Sequence, residues 1–486
     1  MFINGQWVDA IDGGTFAVTN PATGDVIGSV PDGGAADATA AIDAAHAAQP
    51  DWGATTTYSR ADLLMGAWRL MGERATELAA LMTEEQGKPL KASRAEVTYG
   101  ADFLRWFAEE ARRITGEWLP SGRADQRFLS VKTPVGVVAA VTPWNYPMSM
   151  LTRKMGPALA AGCTLVLKPA EATPLCARAI FDCFIDAGVP DGVINMVTAS
   201  NPAPIGDVFT SDPRVKKLTF TGSTAVGRVL AAKAGANLQR VSVELGGHAP
   251  FIVYPDADPV HAAKGAAALK FLNSGQACIS PNRLYVHRDH ADAFIETMVP
   301  RVAKVKAGIG TAEGVGVGPL VNEAAVAKVA AQVDDARAKG AEVLERRRDA
   351  VEEAIKYVYD PNREGSSAFA GAKSAMMTGT PSSGLKLMQL NCLADALAAN
   401  DAFASAEYYE DEEEEEKGSG NEGSGGGTMT KGSMYDLNFR KRGRDLIRVI
   451  STEDASTAPD VVCLQEVDHY HDFFEPELRR LGYAGI

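Results

Sequence analysis

The residues best suited to chemistry sit at the ends of short apolar runs. Cys278 follows Gly275-Gln276-Ala277, on a loop where backbone amides can point at it. Thiolate is the reactive form of cysteine, and nearby dipoles or cations raise its fraction. Glu244 lies in Val243-Glu244-Leu245-Gly246-Gly247. A carboxylate at a strand's carboxyl end can act on a ligand, and the paired glycines let backbone approach it closely. Asn145 lies in Thr142-Pro143-Trp144-Asn145-Tyr146-Pro147, where a side-chain amide can donate to a developing oxyanion. Lys168-Pro169-Ala170-Glu171 closes another run, and Phe220-Thr221-Gly222-Ser223-Thr224-Ala225-Val226-Gly227 leads into a helical stretch. A Gly-Ser turn opening a helix directs free amides and the positive dipole end at a phosphate.

Taken singly, each feature has a plainer reading. Cys278 could be a small buried hydrophobe, Glu244 a salt-bridged surface acid and Asn145 a turn residue. The Gly-Ser turn is not the G-x-G-x-x-G fingerprint and could be an ordinary capped helix start.

The elements that must position these residues alternate. Ala- and Leu-rich stretches near 35–48, 59–86 and 96–114 read as helices. Strands are predicted at 135–141, 164–167, 193–197, 217–220 and 241–244, with helices at 149–161, 174–187 and 224–234, the last stopped by Gly235. This alternation indicates a parallel α/β sheet with helices on both faces. Ligands on such sheets bind beyond the carboxyl ends of the strands. Asn4-Gly5, between Phe2-Ile3 and Trp7-Val8, reads as a tight hairpin turn.

Composition closes off other classes. A hydrophobic share of 46% and a charged share of 23% exclude global disorder and collagen-like repetition. Sixty-two acids against 48 bases leave a net charge of −14, unlike a general nucleic-acid binder. Six cysteines without paired spacing suggest a reducing compartment. No secretory leader is read at the start, and apolar runs such as 135–141 are too short to span a bilayer. A cytoplasmic protein with no membrane partner is expected.

Residues 1 to about 344 resemble the NAD(P)-dependent aldehyde dehydrogenases, nearest the succinate-semialdehyde branch. The resemblance rests on Ile3-Asn4-Gly5 with Trp7-Val8, Asn20-Pro21-Ala22-Thr23-Gly24 and Pro143-Trp144-Asn145-Tyr146-Pro147. It continues through Lys168-Pro169-Ala170-Glu171, Phe220-Thr221-Gly222-Ser223-Thr224, Glu244-Leu245-Gly246-Gly247 and Gly275-Gln276-Ala277-Cys278. It implies a Rossmann-like NAD-binding domain over 1–243, with an oligomerisation hairpin near 117–133, and a partial catalytic domain over 244–344. Cys278 would attack an aldehyde carbon to give a thiohemiacetal and then, after hydride transfer, a thioester. Asn145 and the Cys278 amide would hold the oxyanion, and Glu244 would activate water. Trp144, Lys168, Glu171, Gly222, Ser223, Gly227 and Leu245 would hold the cofactor. A carboxylate at Glu171 would repel a 2′-phosphate and favour NAD, with NADP the alternative. Arg153 would bind a substrate carboxylate. Succinic-semialdehyde enzymes usually carry a second arginine six residues before the cysteine, where this sequence has Leu272. A homo-oligomer is expected of the family. The family's continuation past Ala341-Glu342-Val343-Leu344 is not found here, so the hairpin near 127–133 is expected to expose an edge.

The texture changes near Glu345. A junction is read over 345–384, then a segment over 385–486 with an acidic and Gly/Ser-rich insert at 405–431, whose composition cannot bury enough apolar surface to order itself. This last segment resembles the N-terminal part of the endonuclease/exonuclease/phosphatase family, nocturnin- and deadenylase-like. The resemblance rests on Leu387-Met388-Gln389-Leu390-Asn391 and on Pro459-Asp460-Val461-Val462-Cys463-Leu464-Gln465-Glu466. It implies an α/β sandwich fragment in which Glu466, supported by Asn391, would bind Mg²⁺ if the fragment were complete, with a nucleotide or nucleic acid as partner. Three readings follow: an aldehyde-oxidising enzyme, a Mg²⁺-dependent phosphoesterase, and a catalytically inactive chimera of two family fragments.

Overall fold

The computed structural model describes residues 1–339 and two short strands beyond them, Val461–Cys463 and Tyr483–Gly485. Asn391, Glu466, the junction and the acidic insert lie outside the described residues. The elements begin with strands β1 (Phe2–Ile3), β2 (Gln6–Trp7), β3 (Thr15–Thr19) and β4 (Val26–Pro31). Four helices follow: α1 (Ala35–Ala54), α2 (Thr57–Glu73), α3 (Ala75–Gln86) and α4 (Leu90–Ala111). Then come β5 (Glu117–Leu119), β6 (Phe128–Ser130), β7 (Val137–Val141), α5 (Ser149–Ala160), β8 (Leu165–Lys168), α6 (Pro174–Asp186) and β9 (Ile194–Met196). The chain continues through α7 (Ala203–Ser211), β10 (Val215–Thr221), α8 (Thr224–Ala236), β11 (Arg240–Glu244), β12 (Phe251–Val253) and α9 (Pro259–Lys270). It ends its continuous part with β13 (Leu284–His287), α10 (Ala291–Ala303), β14 (Lys306–Ala307), β15 (Val315–Val317) and α11 (Glu323–Ala338); the two distant strands are β16 and β17.

The main sheet runs β11-β10-β7-β8-β9-β1-β2. The five strands from β11 to β9 are parallel, and β1 joins β9 antiparallel. The side chains of a strand alternate between faces. Val138, Ala140, Leu165 and Leu167 enter one core with α2 to α6, while Val137, Ala139 and Val166 enter the other with α1, α7 and α8. Strands covered on both faces read as continuous apolar runs, and this is why they were legible in the sequence. The order reverses between β7 and β10, so the topological switch point lies at the carboxyl ends of those two strands. The Asn4-Gly5 hairpin forms as expected, with φ of 51° and 80° at the two residues.

Several boundaries differ from the sequence reading. The stretch 59–86 is two helices, because Arg74 leaves helical geometry (φ −93°, ψ 10°) and its guanidinium pairs with Asp186. Gly235 does not stop α8. The helix runs to Ala236, and the backbone turns only at Leu238 (φ 54°), since one glycine costs a helix about 1 kcal/mol. Helix α1 runs through Pro50 to Ala54, its turn pinned where Gln49 bonds the Gly162 carbonyl and the Thr164 amide.

The chain forms two compact units. The first holds residues 1–246, 267–280 and, among the described residues, 299–339. The expected division at 243/244 falls close to Gly246, where the chain leaves this unit. It returns at 267–280, so Cys278 belongs to the same unit as the main sheet. The second unit holds 247–266 and 281–298 with β16 and β17. In it β12 and β13 are parallel, and the two distant strands pair antiparallel on either side, giving the order β16-β12-β13-β17. The strand expected at 461–465 therefore exists over Val461–Cys463, paired along β12. No helix among the described residues is long and apolar enough to cross a membrane.

Candidate active site

Four strand ends deliver the expected residues. β7 leads into Trp144 and Asn145, β8 ends on Lys168, β10 leads into Gly222-Ser223, and β11 ends on Glu244. All four strands are parallel neighbours, so these residues share the carboxyl edge of the main sheet.

Cys278 arrives on a constrained loop. Asn273, Ser274 and Gly275 have φ of 50°, 61° and 78°. Two successive non-glycine residues in the left-handed region are costly and persist only where surroundings fix them. Here Asn273 Nδ2 donates to the Asn145 carbonyl at 2.8 Å. Ser274 Oγ donates to the Gly318 carbonyl at 3.1 Å and accepts from its amide at 2.9 Å. Gln276 Oε1 accepts from the Val321 amide at 3.1 Å. Asn145 Nδ2 donates to the Gln276 carbonyl at 2.9 Å. A primary amide has two N–H groups, so one of them ties Asn145 to the cysteine loop and the second can serve a ligand.

The Cys278 thiol is half-buried and its pKa is raised. Burial is the main cause and the Glu244 carboxylate adds to it, while Arg153 and the amides of Cys278 and Ile279 pull the other way. Cys278, Glu244 and Arg153 thus lie within electrostatic reach of one another. The Arg153 guanidinium stacks 4.7 Å from the Phe103 ring centroid and donates to the Tyr99 hydroxyl. Its buried Nε has no hydrogen-bond partner among the described residues. Lys154, the next residue, is pushed down to about 7 by burial, against the pull of Glu244, and donates to Thr219 Oγ1 at 3.0 Å.

The residues expected to meet a cofactor lie along this same edge. Lys168 is buried and pairs with the half-exposed Glu171, and burial lowers its pKa. Ser223 caps α8 by accepting from the Val226 amide and stands exposed at the switch point. A Cβ on Gly222 would lie 2.5 Å from the Phe220 ring, and one on Gly227 would lie 2.4 Å from Leu245 Cδ2. The turn is therefore close-packed beneath an open helix start, as dinucleotide binding requires. Packing alone already accounts for Gly222, Gly227 and Leu245 as residue types.

Sequence reasoning missed a buried pair behind Asn145. Lys88 and Glu96 are 1% and 3% exposed and form an ion pair. Lys88 Nζ donates to the Asn145 carbonyl at 2.7 Å and lies 4.3 Å from the Tyr146 ring centroid. Glu96 Oε1 accepts from the Met148 and Ser149 amides at 3.1 and 3.2 Å. The only sequence signal was a lysine in a Gly-Lys-Pro turn, which carries no mark of burial.

A cysteine, a carboxylate and an amide donor beside a doubly wound sheet suit an α/β enzyme that works through a covalent thiol. Comparison with known proteins narrows the class. The aldehyde dehydrogenase family model matches residues 7–362, a little further than the 344 read from the sequence. The NADP(+) succinate-semialdehyde dehydrogenase of Escherichia coli is 52% identical over 342 residues, 70% of this chain and 71% of that protein. A glutarate-semialdehyde dehydrogenase of Pseudomonas putida is 50% identical over 343 residues, 71% of each. The crystal structure of an E. coli NADP-dependent enzyme superposes with a TM-score of 0.69 at 51% identity, covering 71% of both chains. This chain belongs to the aldehyde dehydrogenase family.

Proposed function

We propose that this chain oxidises an aldehyde with an anionic far end, of the succinic- or glutaric-semialdehyde type, to the carboxylic acid with NAD(P). The observation that carries this reading is the convergence of Glu244 and Arg153 on the Cys278 thiol, with the Asn145 amide tied to the same loop. The Cys278 thiol gives its proton to solvent, its sulfur attacks the carbonyl carbon, and the C=O π pair moves onto oxygen. The second N–H of Asn145 and the Cys278 amide meet that oxyanion. Trp144, Lys168, Glu171 and Ser223, with the turn packed by Gly222, Gly227 and Leu245, would hold NAD(P), which would supply the hydride acceptor; the adduct carbon gives up its hydride as the C=O re-forms, leaving Cys278 as a thioester. Glu244 then takes a proton from water, whose oxygen attacks the thioester and releases acid and thiolate.

Arg153 is the residue for the far carboxylate, and relatives acting on two such semialdehydes support that choice. Leu272 stands where a second arginine is usual, so recognition rests on one cation. Glu171 favours NAD, whereas the E. coli relative is NADP-dependent by name; NADH and NADPH formation measured side by side decide between them. The phosphoesterase reading, with Glu466 and Asn391 on Mg²⁺, falls outside both the described residues and the matched family span. It draws no support from either.

The test compares succinic semialdehyde with butanal, which has the same carbon count and no carboxylate. Arg153→Met should raise KM about tenfold or more for the semialdehyde alone, consistent with loss of a charge-assisted hydrogen bond. An equal change for both substrates would remove Arg153 from recognition. Absorbance growth that persists in Cys278→Ala would sink the thiol mechanism.

A further inference from the structure

We infer that Lys88 and Glu96 are positioning residues for the oxyanion donor, a brace that fixes Asn145 from behind. This deepens the reading above, because it concerns the same thiol addition.

The brace grips the Asn145 peptide and the start of the following helix separately. Lys88 Nζ holds the Asn145 carbonyl, and Asn273 Nδ2 bonds the same oxygen. Glu96 Oε1 holds the Met148 and Ser149 amides at the start of α5, and its Oε2 pairs with Lys88. Residues 145–149 are thereby tied at both ends to one buried ion pair. The Asn145 side chain projects from this segment to the Gln276 carbonyl in the Cys278 loop. An oxyanion donor must be fixed to well within an ångström to act before the charge forms, because moving it during the reaction costs rate.

Burying a lysine is expensive, and desolvation pushes its pKa down against the pull of Glu96. A hydrophobic pair of similar volume is often as stable as a buried ion pair or more so. Stability alone therefore does not explain the charge here, whereas four directed bonds to residues 145–149 from one ammonium group and one carboxylate do.

Acylation of Cys278 by p-nitrophenyl acetate isolates the effect. The sulfur attacks the ester carbonyl, the π pair moves to oxygen, and p-nitrophenolate leaves as the C=O re-forms. This needs an oxyanion donor but neither aldehyde nor cofactor, so it tests the brace even if no aldehyde is oxidised. Alkylation by iodoacetamide, a displacement at carbon with no oxyanion, is the control. Lys88→Met should slow acylation about tenfold or more while alkylation stays within about twofold. In an Asn145→Ala background the same substitution should cost less than about twofold, because the residue acts through Asn145. The double variant Lys88→Met with Glu96→Gln removes both charges at constant shape and covers the case in which Lys88→Met does not fold. Equal losses with and without Asn145, equal slowing of both reactions, or no Cys278-dependent acylation in the unaltered chain would each overturn the inference.

Discussion

At the scale of the residue, the site is a contest of charges around one sulfur. Burial and Glu244 hold the Cys278 proton on, while Arg153 and two backbone amides draw it off. The signs give opposite shifts for two substitutions. Glu244→Gln should move the pH profile of Cys278 alkylation to lower pH, and Arg153→Met should move it higher; a shared direction would show that the charges do not act on the thiol. Lys154 gives a second pH signature. Its folded pKa, about 7, lies below the ordinary lysine value near 10.4. The unfolded chain therefore binds the extra proton between those values, and stability rises with pH across that window. Lys154→Met should flatten the rise, as urea midpoints at pH 7 and 10 would report. Glu244 and Asn145 were singled out because their neighbours set them at or after strand ends, and Cys278 because Gly275-Gln276-Ala277 sets it on a loop. Lys88 was not, because nothing within its own segment says that Asn145, 57 residues away, receives its ammonium group.

At the scale of the element, the cysteine loop is held by what packs against it. The strained Asn273-Ser274 pair is held by Ser274 Oγ bonded to the Gly318 carbonyl and amide and by Asn273 Nδ2 donating to the Asn145 carbonyl, while the Val321 amide fixes Gln276 beyond it. Gly318 has no room to be anything else, since a Cβ there would sit 2.0 Å from the Gly87 carbonyl oxygen. That oxygen is backbone and cannot step aside cheaply. Gly318→Ala should push 318–321 away from Ser274, lowering stability by about 1–3 kcal/mol and slowing turnover more than it raises KM. Thermal melting with steady-state kinetics checks both, and an unchanged kcat would mean that the loop holds without Gly318. The parallel strands were readable because both of their faces are buried. The break at Arg74 was not, since it depends on a tertiary partner, Asp186, and local helix propensity runs straight across it.

At the scale of the whole molecule, the least settled surface is the hairpin β5–β6. Trp118 stands opposite Leu129, and Leu119 opposite Phe128. Trp118 is 69% exposed and Leu129 67%, and Leu119, Phe128 and Val131 are exposed as well. Both faces of this ribbon are apolar and open, and among the described residues its strands pair only with each other. Contiguous exposed apolar patches of this kind mark sites of association, which makes a partner at this hairpin testable. A second copy of the chain presenting the same ribbon is the simplest one, because a twofold interface uses one patch twice. Sedimentation at micromolar concentration should then report a multiple of 51.4 kDa. Trp118→Arg combined with Leu129→Glu should return the protein to a single chain while leaving Cys278 alkylation unchanged, because β5 and β6 belong to none of the strands that deliver residues to the thiol. A single-chain mass before any substitution would show that the ribbon is covered in some other way.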